Sequence, residues 1–390
     1  MMAEATKNDI GPRFDGIDLL RGLSVLAVVL LHIRIRLIVA GHPIGDSLPK
    51  SLSYLLFNNG NNGVTVFFAI SGFLITIISL HRFGSLVLIR LRTFYRYRFA
   101  RIAPLLLLLL AILSALHLYG AAGFQINPNR ADLAQALFAA LTFHLNWLEA
   151  AKGYLPANWD ILWSLSIEEM FYLFFPLVCL ILLRFRSGTA LLISFLLLFV
   201  AVGPFARTVW TNNDLWKEKS YLGNMDSIAL GCLAALLTFY ILQNYSGHLF
   251  RRRNLLLAIQ GVGLSLMLLV AIWPQWAWLR YLGRHGLDLT LLPLGTCLFM
   301  VGSVLSGRAG GRLGSPLRWF GRHSYEVYLT HEFIVIWGAA IYAKIDQGSP
   351  FLWIALFLVL SGILGALVAR YFSEPLNRQL RTGIQPLRGC

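Results

Sequence analysis

The chain has 390 residues, of which 57% are hydrophobic and 13% charged, and its formal net charge is +15. A soluble globular domain is about 45–50% apolar and about 25% charged, so this composition excludes a water-soluble enzyme, a disordered protein and a secreted disulfide scaffold. The apolar residues come in blocks of roughly 20, the length that spans a bilayer, and the positive charge is read against a lipid bilayer rather than nucleic acid.

Apolar blocks run at 17–39, 62–80, 100–121, 160–183, 189–209, 221–243, 254–273, 287–306, 319–342 and 351–372. Each is long enough to cross as a helix. The first runs past signal-peptide length with no small-residue cleavage pattern after it, so it is expected to stay as a span. The stretch 131–150 carries Asp132, Gln135, His144, Asn146 and Glu149; it is open to lying on the surface, re-entering or spanning weakly, and the choice taken is an extra helix that does not cross.

The positive-inside rule supports that choice. With the N-terminus inside, one side holds Lys7 and Arg13, the run from Arg82 to Arg101, Arg184 and Arg186, the triplet Arg251, Arg252 and Arg253, then Arg308 to Arg322, and Arg370, Arg378, Arg381 and Arg388. The expected architecture is an all-α polytopic integral membrane protein of about ten transmembrane helices with both termini cytoplasmic. It divides into a cytoplasmic tail over 1–15, a membrane-embedded domain over 16–375 and a short basic cytoplasmic tail over 376–390. No internal repeat and no appended soluble domain is read. Cys179, Cys232 and Cys297 lie inside apolar blocks, Cys390 is the last residue, and no Cys/His spacing points to zinc.

An ionisable group near the bilayer centre costs roughly 2.5–3.5 kcal/mol on insertion scales, so such groups face the protein interior and mark function. Arg21 and His32 are eleven positions apart on the first span, close to three turns and about 16 Å, so they share a face. A snorkelling arginine and a helix-pairing histidine are the bland alternatives. Gly60, Gly63 and Gly72 allow close helix approach, with Ser71 as packing or site lining. Arg98 and Arg101 share one helix face and make a phosphate clamp or an anionic headgroup site.

The stretch WDILWSLSIEEMFYLFFPL holds Glu168 and Glu169 about 12 Å from the outer edge, for which ion pairing to a buried arginine is the plainer reading. His331, in SYEVYLTHEF, comes to a similar depth about 18 Å from the inner edge. A histidine and a carboxylate at one depth can form a general-base pair. The same set could bind a metal, but no His spacing on one helix supports it. Ser71, Trp163, Ser164, Tyr172 and Tyr328 are the expected substrate-pocket residues.

The series FDGIDLLRG ending at Gly22, the Arg21-to-His32 spacing, GVTVFFAISGFLI, RFARIAP, WSLSIEEMFYL, SYEVYLTH and SEP at 373–375 occur in that order. Together, from Phe14 to Pro375, they resemble acyltransferase family 3, membrane-bound O-acyltransferases that decorate bacterial surface sugars, peptidoglycan or small hydroxylated acceptors. The resemblance implies a multi-pass protein of the cell inner membrane that moves an acyl group, usually acetyl, from acyl-CoA to a hydroxyl, with no metal. Matched by motif, His32 is the base, Arg21, Arg98 and Arg101 bind acetyl-CoA, and Glu168 and His331 complete the site. Thr330 departs from the pattern, where an aromatic is common. The expected mechanism has Glu168 holding His32 inside a passage that reaches it from the arginines. An acyl-histidine intermediate is the variant. A proton-coupled transporter or flippase of a glycolipid or small solute is the rival reading, since buried Arg, His and Glu suit a carrier too.

Overall fold

In lipid every backbone N–H and C=O must find its partner within the protein, and apolar segments of this length do so as helices. The computed structural model describes residues 14–45, 48–249, 252–272, 277–345 and 347–382. Lys7, Arg13, Arg251, Arg388 and Cys390, with most of both predicted tails, lie outside them. Among the described residues the chain is helical and has no strand.

The helices are, in order, α1 (Asp15–Val39), α2 (Lys50–Phe57), α3 (Gly60–Phe83), α4 (Leu91–Tyr119), α5 (Leu133–Leu141), α6 (Leu145–Lys152), α7 (Ala157–Asp160), α8 (Leu162–Leu182), α9 (Gly188–Thr208), α10 (Asp214–Lys219), α11 (Tyr221–Leu249), α12 (Arg253–Ile272), α13 (Ala277–Arg284), α14 (Asp288–Ser306), α15 (Ser315–Arg322), α16 (Ser324–Ile345), α17 (Pro350–Val368) and α18 (Glu374–Arg381). Nine stretches among the described residues are long and apolar enough to cross a membrane. With 22 residues, α16 is about 33 Å long and also reaches across. It is less apolar because it carries Glu326, His331 and Glu332, and all three are turned inward, at 2%, 0% and 0% exposure.

One expectation needs correction here. The block 319–342 is not one helix: α15 ends before His323 and α16 starts at Ser324. Gly321 of α15 lies against the carbonyl of Asp18, where a Cβ would collide, so α15 crosses α1 at the arginine-rich end instead of continuing α16. The stretch expected as a short basic tail begins as a helix, with α18 running to Arg381. There α18 packs on α4, and Arg96 donates to the carbonyls of Leu380 (3.0 Å) and Thr382 (2.8 Å).

The stretch 131–150 forms two helices of nine and eight residues, about 14 and 12 Å long, too short to cross. Its polar residues have structural work. Asp132 accepts from the Gln135 amide at 2.7 Å and caps α5. Glu149 is fully buried; it accepts from the Leu155 amide at 3.1 Å and from Lys219 at 2.8 Å. Burial and the neighbouring Asp160 push its carboxyl above the usual range, against the pull of Lys219. Lys219 also pairs with Asp160, so this one ammonium ties α6, α7 and α10 together at the end opposite the arginines.

The central span is α3, with 78% of its apolar window buried. It packs against α1, α11 and α14. It crosses α11 where Gly72 meets the Ile228 carbonyl and Gly231 meets the Ala69 carbonyl. A second anchor joins α9, α11 and α14. Arg207 is bidentate to Asp226 at 3.0 and 2.9 Å and also donates to Thr290 and the Gly286 carbonyl, both at 2.7 Å.

Candidate active site

At the arginine-rich end a cavity of about 890 Å³ opens between α1, α3, α4, α8 and α16, with α18 along its rim. Seven arginines line it (residues 21, 82, 98, 101, 322, 378 and 381) against three carboxylates, Asp18, Glu168 and Glu374. This excess of positive charge draws an anionic ligand and concentrates it there. The lining also has apolar side chains, among them Val64, Phe67, Ile70 and Leu165. The cavity suits a molecule with a multiply charged head and a slender neutral arm.

The arginines are held by their neighbours. Arg21 donates to Ser324 Oγ at 3.1 Å. Arg98 pairs with Glu169 at 3.0 Å, and its guanidinium lies 3.7 Å from the Tyr172 ring centroid. Arg101 stands 3.9 Å from Glu326 and 5.3 Å from the Tyr325 ring. Glu168 accepts from Tyr172 at 3.5 Å, and the Ser71 hydroxyl reaches both groups.

The two histidines meet further along α1 and α16. His331 Nδ1 lies 2.7 Å from the Tyr328 carbonyl, and its Nε2 lies 2.7 Å from His32 Nδ1. A carbonyl only accepts, so the first contact puts the His331 proton on Nδ1 and leaves Nε2 as an acceptor. His32 then carries its proton on Nδ1, and its Nε2 holds the free lone pair. The rings stack with centroids 5.0 Å apart at 4°. Glu332 Oε1 is 3.1 Å from the same His32 Nδ1, and Glu332 Oε2 is 3.5 Å from Arg36 Nε.

The donor atoms of His32, His331 and Glu332 all lie within 4.8 Å of one another. Two nitrogens on one tetrahedral zinc would be about 3.3 Å apart. At 2.7 Å the ring nitrogens are at hydrogen-bond distance instead.

Eight of the sequence-predicted residues line the cavity together: Arg21, Ser71, Arg98, Arg101, Ser164, Glu168, Tyr172 and Tyr328. Trp163 does not. It points about 100° away from Ser164 on α8 and packs edge-on to Phe68 with centroids 6.0 Å apart. His32 and His331 do not line the cavity either. Tyr328 stands one turn before His331 and hydrogen-bonds Ser164 at 2.7 Å and the Ile161 carbonyl at 2.9 Å. The cavity lining, which includes Tyr328 and Ser164, therefore stops short of His32. The carboxylate against His32 is Glu332, not Glu168. Equal depth on two helices does not set which way their side chains turn, and Glu168 turns into the cavity. The signal for Glu332 was its place directly after His331, and for Arg36 its spacing of one turn from His32.

The family model described as an acyltransferase domain matches residues 14–371. The chain is 23% identical over 388 residues to the O-acetyltransferase OatA of Staphylococcus aureus, covering 94% of this chain and 58% of that protein. It is 25% identical over 387 residues to the putative peptidoglycan O-acetyltransferase YrhL of Bacillus subtilis, covering 93% and 55%. The chain thus spans just over half the length of these relatives. No solved structure matches it. A match over residues 14–371, nearly the whole chain, makes this protein a member of acyltransferase family 3.

Proposed function

We propose that this protein transfers an acetyl group from acetyl-CoA to a hydroxyl of a carbohydrate or other acceptor, with the acceptor on the far side of the inner membrane. The positive-inside rule puts the arginine-rich end in the cytoplasm, where acetyl-CoA is found. The observation that carries the reading is the cavity itself: its seven arginines fit the phosphates and its apolar lining residues fit the pantetheine arm. Arg98 and Arg101 hold phosphate, with Arg21 deeper along the arm. Glu168, Ser71 and Tyr172 accept and donate hydrogen bonds to the amides of that arm.

His32 Nε2 takes the proton of the acceptor hydroxyl, and the oxygen attacks the thioester carbonyl. The carbon–sulfur bond breaks, and the thiolate leaves with that proton as free CoA. For the thioester to reach the imidazole, the cavity has to extend beyond its present lining, which does not include His32. The printed names of the relatives favour an O-acetyl acceptor, and membership of a transferase family favours transfer over the carrier reading.

The test uses purified protein with acetyl-CoA and a panel of hydroxylated acceptors, following thiol release and acceptor mass. Acceptor-dependent CoA release is expected. His32→Ala is expected to lower it at least about 100-fold while leaving acetyl-CoA binding intact. Normal turnover in that variant overturns the role of His32, and substrate movement with no thiol release overturns the enzyme.

A further inference from the structure

His32 and Arg36 are one turn apart on α1 and face the same side chain of α16, Glu332. That carboxylate has 1% side-chain exposure, and a buried carboxylate is costly unless it is paired. Arg36 balances it while His32 is neutral. When His32 takes up a proton, the same carboxylate faces two cations. Without it, an imidazolium would stand beside an uncompensated guanidinium. His331 gives a neutral contact that cannot perform this service, because its Nδ1 proton is committed to the Tyr328 carbonyl. The other charges that act on His32 are Asp160 of α7 and Lys219 of α10, and these are joined to each other.

We infer that Glu332 is a positioning residue for acyl transfer: its charge, 3.1 Å from the His32 Nδ1 whose proton His331 accepts, favours that tautomer, so that the lone pair of Nε2 is left for the acceptor, and it stabilises the imidazolium formed when the acceptor's proton arrives. This rests on the reading of His32 as the base. Glu332 does not line the arginine cavity, so its effect is on turnover and not on donor binding.

The experiment compares Glu332→Gln and Glu332→Asp with wild type in acetyl-CoA-dependent transfer across pH. Loss of the negative charge makes His32 harder to protonate. In Glu332→Gln the acid limb of the rate profile is therefore expected to move down by about one pH unit. Its kcat is expected to fall about 100-fold, with KM for acetyl-CoA unchanged. Glu332→Asp keeps the charge, so the limb stays in place and about a tenth of the rate returns. A Glu332→Gln variant with wild-type kcat and an unmoved limb overturns the inference. So does a Glu332→Asp variant as impaired and as shifted as Glu332→Gln. If Glu332→Gln does not fold, Glu332→Asp is read alone, and wild-type kcat in it overturns the inference. An active His32→Ala would instead sink the base assignment, so the two failures are told apart.

Discussion

Arg98 and Arg101 sit one turn apart on α4 and both reach the cavity, yet they are anchored differently. Arg98 has an ion pair and a ring face at close range, and its partner Glu169 is only 11% exposed. Arg101 is 31% exposed and its nearest carboxylate is 3.9 Å away. Arg101→Ala is therefore expected to weaken acetyl-CoA binding about tenfold, the loss of one charge-assisted contact, with a stability loss smaller than that of Arg98→Ala, because the contact it gives up to buried Glu326 is a long one of 3.9 Å. Arg98→Ala is expected to lose binding and also about 3 kcal/mol of stability, because it strands a buried carboxylate. Titration with acetyl-CoA and thermal unfolding separate the two; equal stability losses would contradict the distinction. The spacing of this pair was legible in the sequence as one helix face. Their partners were not. Glu169 and Glu326 come from α8 and α16, and the rotation of each helix about its own axis depends on packing across the bundle. The same gap led to Glu168 rather than Glu332 being expected beside His32.

Among elements, the crossing of α3 and α11 is the tightest constraint on the centre of the bundle. Gly72 and Gly231 each face a carbonyl of the other helix with no room for a methyl group. Gly72→Ala forces the two backbones apart and is expected to cost about 2–3 kcal/mol, seen as a lower unfolding temperature and a broadened size-exclusion peak. Gly261, inside α12 with nothing within 4 Å of where a Cβ would stand, is the control. Gly261→Ala is expected to be neutral or to gain up to about 1 kcal/mol from helix propensity. Helix positions were readable because apolar length alone specifies a span. The break between α15 and α16 was not, because it goes with a contact to α1, about 300 residues away in sequence, where Gly321 meets the Asp18 carbonyl. The short helices α5 and α6 were readable as something that does not cross, since their polar residues were too many for a span and have partners only once the chain has folded.

At the scale of the whole molecule, charge separates the two ends. One end carries the arginine cavity; the other carries the joined Lys219, Glu149 and Asp160. The orientation follows from the rule on basic loops and can be read by labelling in a Cys390→Ser background. Arg252→Cys is expected to react with a membrane-impermeant maleimide only after the cytoplasmic face is opened. Asn212→Cys, in the exposed connection before α10, is expected to react in cells with intact inner membranes. The reverse pattern would invert the protein and place its cavity away from cytosolic CoA.

The last described helix adds a practical point. Glu374, Asn377, Arg378, Arg381 and Thr382 all border the cavity, so whatever is joined to the polypeptide after Thr382 begins at a doorway. A purification handle or fluorescent fusion attached there crowds the threshold and changes access without touching any reacting atom. Around Asn212, at the opposite pole, the same cargo hangs clear of the traffic.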